Sequence, residues 1–269
     1  MRFLILVLTI AFFPSLQALE KNAWFGVDHE LETSFAWKHE RFQRMHAEDK
    51  GLKNLRIDRS MMLNFLLPVM GKYQFEIEGG LAKRSVDYNF QNLSISLRKS
   101  IYNDLVGDPF SFVTGFNFHF VPSRSLTEPL LFYHSRFAGE LTASLGKEWA
   151  KGRYWQWRAS AHLALAQANR GCPRLNFLLS LEKNFSDQHF LSFSIDGVSG
   201  LGSTKLQREE DFRSYRNLSY SALDAAITYR FDYDLALKVD LEYRKRFYAR
   251  YCAESYDAFL VRMIMPFSL

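Results

Sequence analysis

The sequence predicts an all-β chain closed into a transmembrane antiparallel up-and-down β-barrel of about twelve strands. Three observations predict it. Segments of about 10 to 14 residues alternate apolar and polar positions along nearly the whole chain. The connections between them alternate between short and long. Aromatic residues gather where the segments end, as amphipathic rings do at a membrane interface.

Composition sets the limits. Of 269 residues, 48% are hydrophobic, 16% aromatic and 23% charged, too polar for a helical membrane protein yet apolar enough to fold. The one long apolar run, Phe3 to Phe13, follows Arg2 and precedes Pro14, Ser15, Leu16, Gln17 and Ala18. A basic start, an apolar stretch and small residues before a cut are the parts of a secretory signal peptide. Residues 1–18 are therefore expected to be removed after Ala18, leaving a barrel domain over 19–269. Removal of Arg2 lowers the formal net charge from +5 to +4. The excess is spread along the chain and lacks the dense clustering of a nucleic-acid footprint, so no nucleic-acid partner is expected.

The strands follow in order. Leu31, Thr33, Phe35 and Trp37 share one face, then Met61, Leu63, Phe65 and Leu67, then Tyr73, Phe75, Ile77 and Leu81. Leu93, Ile95, Leu97 and Ile101 continue the pattern, as do Phe112, Thr114, Phe116, Phe118 and Phe120. Phe137, Leu141, Ala143, Leu145 and Trp149 precede Trp155, Trp157, Ala159, Ala161, Leu163 and Leu165. The segments NFLLSLEKNF, FLSFSIDG, YSALDAAITYRF, LALKVDLEY and FLVRMIMPFSL complete the set. GVSGLG, residues 197–202, lacks the glycine spacing of a nucleotide loop or nucleophile elbow and reads as a strand end.

Short connections are expected at 68–72, 103–109, 150–152, 186–188 and 232–234, with longer ones at 43–51, 83–89, 121–135, 168–174, 200–216 and 247–257. A soluble β-sandwich also alternates, but its strands are shorter and its loops have no reason to alternate in length. Lys99, Lys147 and Lys183 interrupt the oily face late in descending strands, where a lysine can snorkel to the interface.

The terminal Phe259, Val261, Met263, Met265, Phe267 and Leu269 alternate up to the last residue. This resembles the closing strand of bacterial outer-membrane β-barrels, although such strands most often end in phenylalanine or tryptophan and lack an internal proline such as Pro266. The resemblance implies an outer-membrane location, contact with outer-membrane lipid and handling by the barrel-assembly machinery during biogenesis.

With the oily faces against lipid, the opposite faces form the interior. Lumen-lining candidates are Glu76, Glu78, Arg98, Glu140, Arg158, Asp224, Arg230, Asp240, Arg244 and Arg262. They suit either a water-filled lumen or a salt-bridge network that fills the barrel, since twelve strands lie between the filled 8-stranded and open 16-stranded cases. Phe75→Lys should then impair assembly, whereas Gln74→Lys should be tolerated.

The expected function is a narrow passive channel for small polar or charged solutes. The alternatives are an outer-membrane lipid-modifying hydrolase and a structural or surface-interaction barrel with a closed lumen. Hydrolysis needs a serine within reach of a histidine base. The pieces are His134 with Ser135, His162 with Ser160, and His119, but no catalytic residue stands out and an enzyme is not the favoured reading. No cofactor or metal is expected, because the histidines are scattered and the cysteines few. Cys172 and Cys252 fall in two external connections, where an exported chain is permitted a disulfide. The longest loop, LGSTKLQREEDFRSYR, could fold inward as a constriction, bind a partner or be solvated, and solvation is the expectation.

Overall fold

The computed structural model describes residues 21–48, 56–84, 87–127, 129–152, 154–208, 211–233 and 236–268. The signal peptide expected over 1–18, and Leu269 of the closing strand, lie outside them. The strands are β1 (Glu30–Phe42), β2 (Arg44–Met45), β3 (Arg56–Val69), β4 (Tyr73–Arg84), β5 (Asp87–Tyr102), β6 (Ser111–Phe120) and β7 (Phe137–Lys151). They continue as β8 (Tyr154–Ala168), β9 (Arg174–Asn184), β10 (His189–Leu201), β11 (Ser219–Tyr233), β12 (Leu237–Arg250), β13 (Ala253–Glu254) and β14 (Asp257–Ser268). Twelve of them close one antiparallel barrel in chain order, sealed by β1 against β14. The two-residue strands β2 and β13 pair with each other beyond the loop end.

The side-chain alternation decides which face is wet. On β4, Glu76 and Glu78 are 0% exposed while Phe75 is 40% exposed, and outward Leu141 on β7 reaches 64%. The glutamates point into the barrel and the apolar side chains form its outer surface. Removing this oily surface from water requires lipid, because an apolar band this extensive exceeds the patches of soluble monomers.

The longest connections, 43–55, 121–136 and 202–218, all lie at one end of the barrel, although that end also carries the short β4–β5 and β8–β9 connections and the other end the longer β5–β6 one. Met70 and Gly71 both adopt left-handed φ (56° and 60°) in the β3–β4 turn, the geometry that matches the twist of paired strands. The β4–β5 connection is tighter than the expected 83–89, since the register pairs Arg84 with Asp87. Four strand pairs around β4–β8 and β11–β12 carry bulges, which absorb single-residue mismatches without flipping the faces.

The loops fold over the barrel mouth and build the most conventional apolar core of the molecule. Met45, Leu206, Tyr215, Leu218, Tyr220, Tyr251 and Cys252 cluster there, beside a second group of Phe42, Leu130, Ala253 and Tyr256. The longest loop is thus not the solvated segment expected: it buries Leu206 and Tyr215, because these apolar residues find partners on β2 and on the loop before β7.

Candidate functional site

The interior is asymmetric. On the side of β3 to β8 it is filled by side chains that bond to each other. Asn64 Nδ2 donates to Glu76 at 2.5 Å, Asn92 Nδ2 to Glu78 at 3.3 Å, and Asn117 Nδ2 to Glu140 at 2.9 Å. Arg174 reaches the other oxygen of Glu140 at 3.3 Å. The amide nitrogens thus satisfy the buried carboxylates, while the Oδ1 atoms of Asn64, Asn92 and Asn117 find no hydrogen-bond partner among the described residues. Gln74 also faces inward, but at 1% exposure it has no room for the lysine that its face alone would allow.

On the side of β9 to β12, β14 and β1 the interior stays open. A cavity of about 310 Å³ runs between these strands, walled by Asp196, Asp224, Arg230, Asp240, Arg244 and Arg262 among others. Its charges are paired in rungs. Arg246 grips both oxygens of Asp224 at 2.6 and 2.9 Å. Arg230 grips both oxygens of Asp240 at 2.7 and 3.1 Å, and Arg262 lies 3.2 Å from the same carboxylate. Arg244 bridges Glu242 at 2.9 Å and Asp196. Such bidentate guanidinium pairs hold a fixed geometry and keep their charge.

Both ends of the cavity are narrowed. At the loop end, Phe132 hangs from the β6–β7 connection, its ring 5.2 Å from the Arg246 guanidinium and stacked on Tyr220 with centroids 5.2 Å apart. Arg174 holds the Phe132 carbonyl at 2.7 Å. At the turn end, the segment before β1 doubles back into the barrel. Lys21 reaches Asp196 at 3.4 Å, Arg98 donates to the Asn22 carbonyl, and Ala23 is 3% exposed. Trp24 donates Nε1 to Asp104 at 2.8 Å and lies under the Arg158 guanidinium at 5.2 Å. Gly146 makes room for this: a Cβ there would sit 2.7 Å from Ala23.

Asp104 is the anchor of that arm. It also accepts from Ser111 Oγ at 2.6 Å and from the Glu148 amide at 2.7 Å. Burial alone would raise its pKa, but Ser111, the Glu148 amide, Trp24 and nearby Lys147 outweigh it and hold the carboxyl below the usual range.

Among the sequence candidates, Asp224, Arg230, Asp240, Arg244 and Arg262 therefore come together on the cavity wall. Glu76, Glu78, Arg98 and Glu140 lie in the filled half, and Arg158 pairs with Glu148 at 2.8 Å near the floor. Sequence reasoning missed Arg246, although it continues the even-numbered inward series of β12. It also missed the Lys21–Trp24 arm, which has no periodicity to betray it.

The serine and histidine candidates pair differently from expectation. His134 donates Nδ1–H to the Cys172 carbonyl at 2.7 Å, so its Nε2 accepts from Tyr220 OH at 2.9 Å and neither nitrogen serves Ser135. Ser160 bonds Ser180 at 2.7 Å, while His162 bonds Ser144 at 2.8 Å. Ser94, His119 and Glu140 do line up, at 2.8 and 3.9 Å. Ser94 is 0% exposed, however, so no ester reaches its hydroxyl and the row is structural. Cys172 and Cys252 are free thiols in this structure; they flank the same stretch of chain, near Leu218 O and Ser221 O respectively.

No family model matches the chain. No curated protein matches it either. Solved structures do. An outer-membrane channel from Pseudomonas putida F1 superposes with TM-score 0.65 over 94% of this chain and 100% of that one, at 10% identity. The NanC porin gives 0.57 over 87% and 98%, at 7% identity. The KdgM porin in complex with disordered oligogalacturonate gives 0.51 over 87% and 99%, at 10% identity. At such identities the likeness is one of fold, and it agrees with the closed barrel, the apolar exterior and the polar interior: the chain has the fold of a twelve-stranded bacterial outer-membrane β-barrel.

Proposed function

We propose that the chain, exported and cut after Ala18, is a narrow passive channel of the outer membrane for small polar or charged solutes. One observation carries this reading: a cavity of about 310 Å³ lies on one side of the barrel while the other side is filled. Filling the whole interior would have been the route to a purely structural barrel. The wall holds seven cations (Lys21, Lys38, Arg174, Arg230, Arg244, Arg246, Arg262) and five carboxylates (Glu182, Asp196, Asp224, Asp240, Glu242), an excess of two positive charges at the lining, with Lys38 and Arg174 further paired to Glu40 and Glu140 behind it. A mild preference for anions follows. Acidic saccharides are one class to test, since the similarly folded KdgM porin is in complex with disordered oligogalacturonate. Biogenesis would pass through the barrel-assembly machinery.

The test is conductance of the purified protein in a planar bilayer, with reversal potentials under a salt gradient. Discrete small openings with modest anion preference are expected. Silence across voltages and salts would sink the channel reading and leave the barrel untouched. That result would favour the second reading, a closed barrel, for which the Phe132 cap and the Trp24 arm already provide a lid and a floor.

A further inference from the structure

Toward the loop end, the outward strand positions carry charge in one sector of the barrel. The row of outward residues through Trp37 is apolar, pairing Trp37 with Met61 on β3 and Val261 on β14, and then Met61 with Leu81 on β4. Two residues further toward the loop end the row changes character. It runs Tyr243, Phe259, His39, Arg59 and Lys83 across β12, β14, β1, β3 and β4. The next row pairs Asp257 with both Arg41 and Lys245. Two residues of strand correspond to about 7 Å, which places these cations just above an aromatic belt at the membrane surface.

Four cations, Arg41, Arg59, Lys83 and Lys245, thus share this sector with one outward carboxylate, Asp257, which Arg41 holds at 3.1 Å. Lys83 lies over the Tyr88 ring at 5.6 Å. Arg59 and Lys245 are exposed and make no ion pair among the described residues, although Asp257 lies opposite Lys245 across the ladder and is held by Arg41. On the other side of the barrel the matching outward positions are uncharged: Phe120, Phe137, Leu175, Leu201 and Ser219. A groove of about 440 Å³ opens in the charged sector, walled by Arg41, Lys245, Phe247 and Tyr248 together with two carboxylates already held by arginines, Asp257 by Arg41 and Glu254 by Arg44.

We propose that this sector is a binding site for a phosphorylated glycolipid of the outer leaflet. Its acyl chains would lie along the apolar strands below, and its phosphates would meet Arg59, Lys83 and Lys245. A cation on the outer surface is tolerated near an interface, but several unpaired ones side by side repel each other unless anions complete them. Guanidinium and ammonium groups are suited to phosphate oxygens, and a groove between strand ends admits a headgroup while the chains remain in the bilayer. The proposal rests on the membrane reading of the fold and is independent of conduction.

The experiment is native mass spectrometry of the full protein in detergent, titrated with purified bisphosphorylated lipid A or with the same lipid after enzymatic removal of its phosphates. Wild type should retain the phosphorylated lipid at least tenfold better than the dephosphorylated one. Arg59→Gln with Lys245→Gln should lose most of that difference, while Lys99→Gln with Lys147→Gln, at the opposite interface, should keep it. Equal retention of the two lipids by wild type needs no variant and would overturn the site. So would an unchanged difference in the Arg59/Lys245 variant shown to be folded by its heat-modifiable mobility. Displacement of the lipid by millimolar inorganic phosphate alone would reveal a free-anion site instead and would also overturn the proposal.

Discussion

The indole Nε1 of Trp24 donates to Oδ1 of Asp104 across 2.8 Å, tying the segment before the first strand to the floor of the barrel. The same carboxylate holds Ser111 and the Glu148 amide, so the arm is docked on a prebuilt acceptor and not merely lying in the opening. Deletion of residues 21–25 removes side chains from the floor of the barrel while leaving every barrel strand intact. Single-channel conductance should rise severalfold. Asp104→Ala should give a noisier channel of intermediate size, because the arm loses its anchor but remains present. Unchanged conductance in the deletion would show that the arm lies off the solute path.

Asp240 is 0% exposed and is shared by Arg230 and Arg262. Asp240→Asn keeps the shape but removes from two guanidiniums the buried carboxylate they share. A fully buried pair broken in this way costs about 3–5 kcal/mol; the arginines here retain side-chain exposures of 32% and 21%, so about 1–3 kcal/mol is expected. The heat-modifiable gel transition should fall accordingly. In the same variant the positive excess of the wall grows by one, so reversal potentials should move toward stronger anion preference. A shift toward cations would contradict the role given to this rung.

Much of this architecture was legible because a barrel strand has a strict period of two and a long stretch over which to show it. Alternation placed Phe75 outside and Glu76 inside, and carried Asp240, Arg244 and Arg262 to one lumen. What alternation does not encode is which inward residues meet each other across the interior. Glu140 and Asp240 look alike in sequence, yet one is locked to Asn117 and Arg174 in the filled half and the other borders the cavity. Segments without a period were less readable still. Leu206 and Tyr215 sit in a polar loop and reveal their burial only when the loops converge, and Trp24 gives no hint that it turns inward.

The loop cap should be sensitive to acid through His134. Burial is the main cause that depresses its pKa to about 4, with Arg174 adding repulsion, while the Cys172 carbonyl acts in the opposite direction. The folded pKa lies below the unfolded value of about 6.5, so the unfolded chain binds the proton first. The contribution is therefore present in full above about pH 6.5 and is lost as pH falls toward 4, on the order of 2 kcal/mol by pH 5. Hydrogen exchange in residues 129–135 should accelerate between pH 7.5 and 5 after correction for intrinsic rates. His134→Gln, which keeps a donor but cannot titrate, should remove most of that acceleration.

The face assignment itself has a sharp test on β10, where neighbouring side chains meet different solvents. Phe193 is 48% exposed on the outer surface near the middle of the strand, and Ser194 lines the cavity. Lysine at the first position must be placed in hydrocarbon, at a cost of about 2–4 kcal/mol near the midplane. Phe193→Lys should therefore reduce the folded fraction recovered in the outer membrane. Ser194→Lys adds the same charge where water and the Asp196 carboxylate can receive it, so assembly should be retained while conductance and anion preference change. This pair is a better contrast than Phe75 and Gln74, because Gln74 lies in the packed half and would resist lysine for lack of space, not for lack of water. Equal assembly of the Phe193 and Ser194 variants would mean that the two faces do not see different media, and the membrane reading of the fold would fail with it.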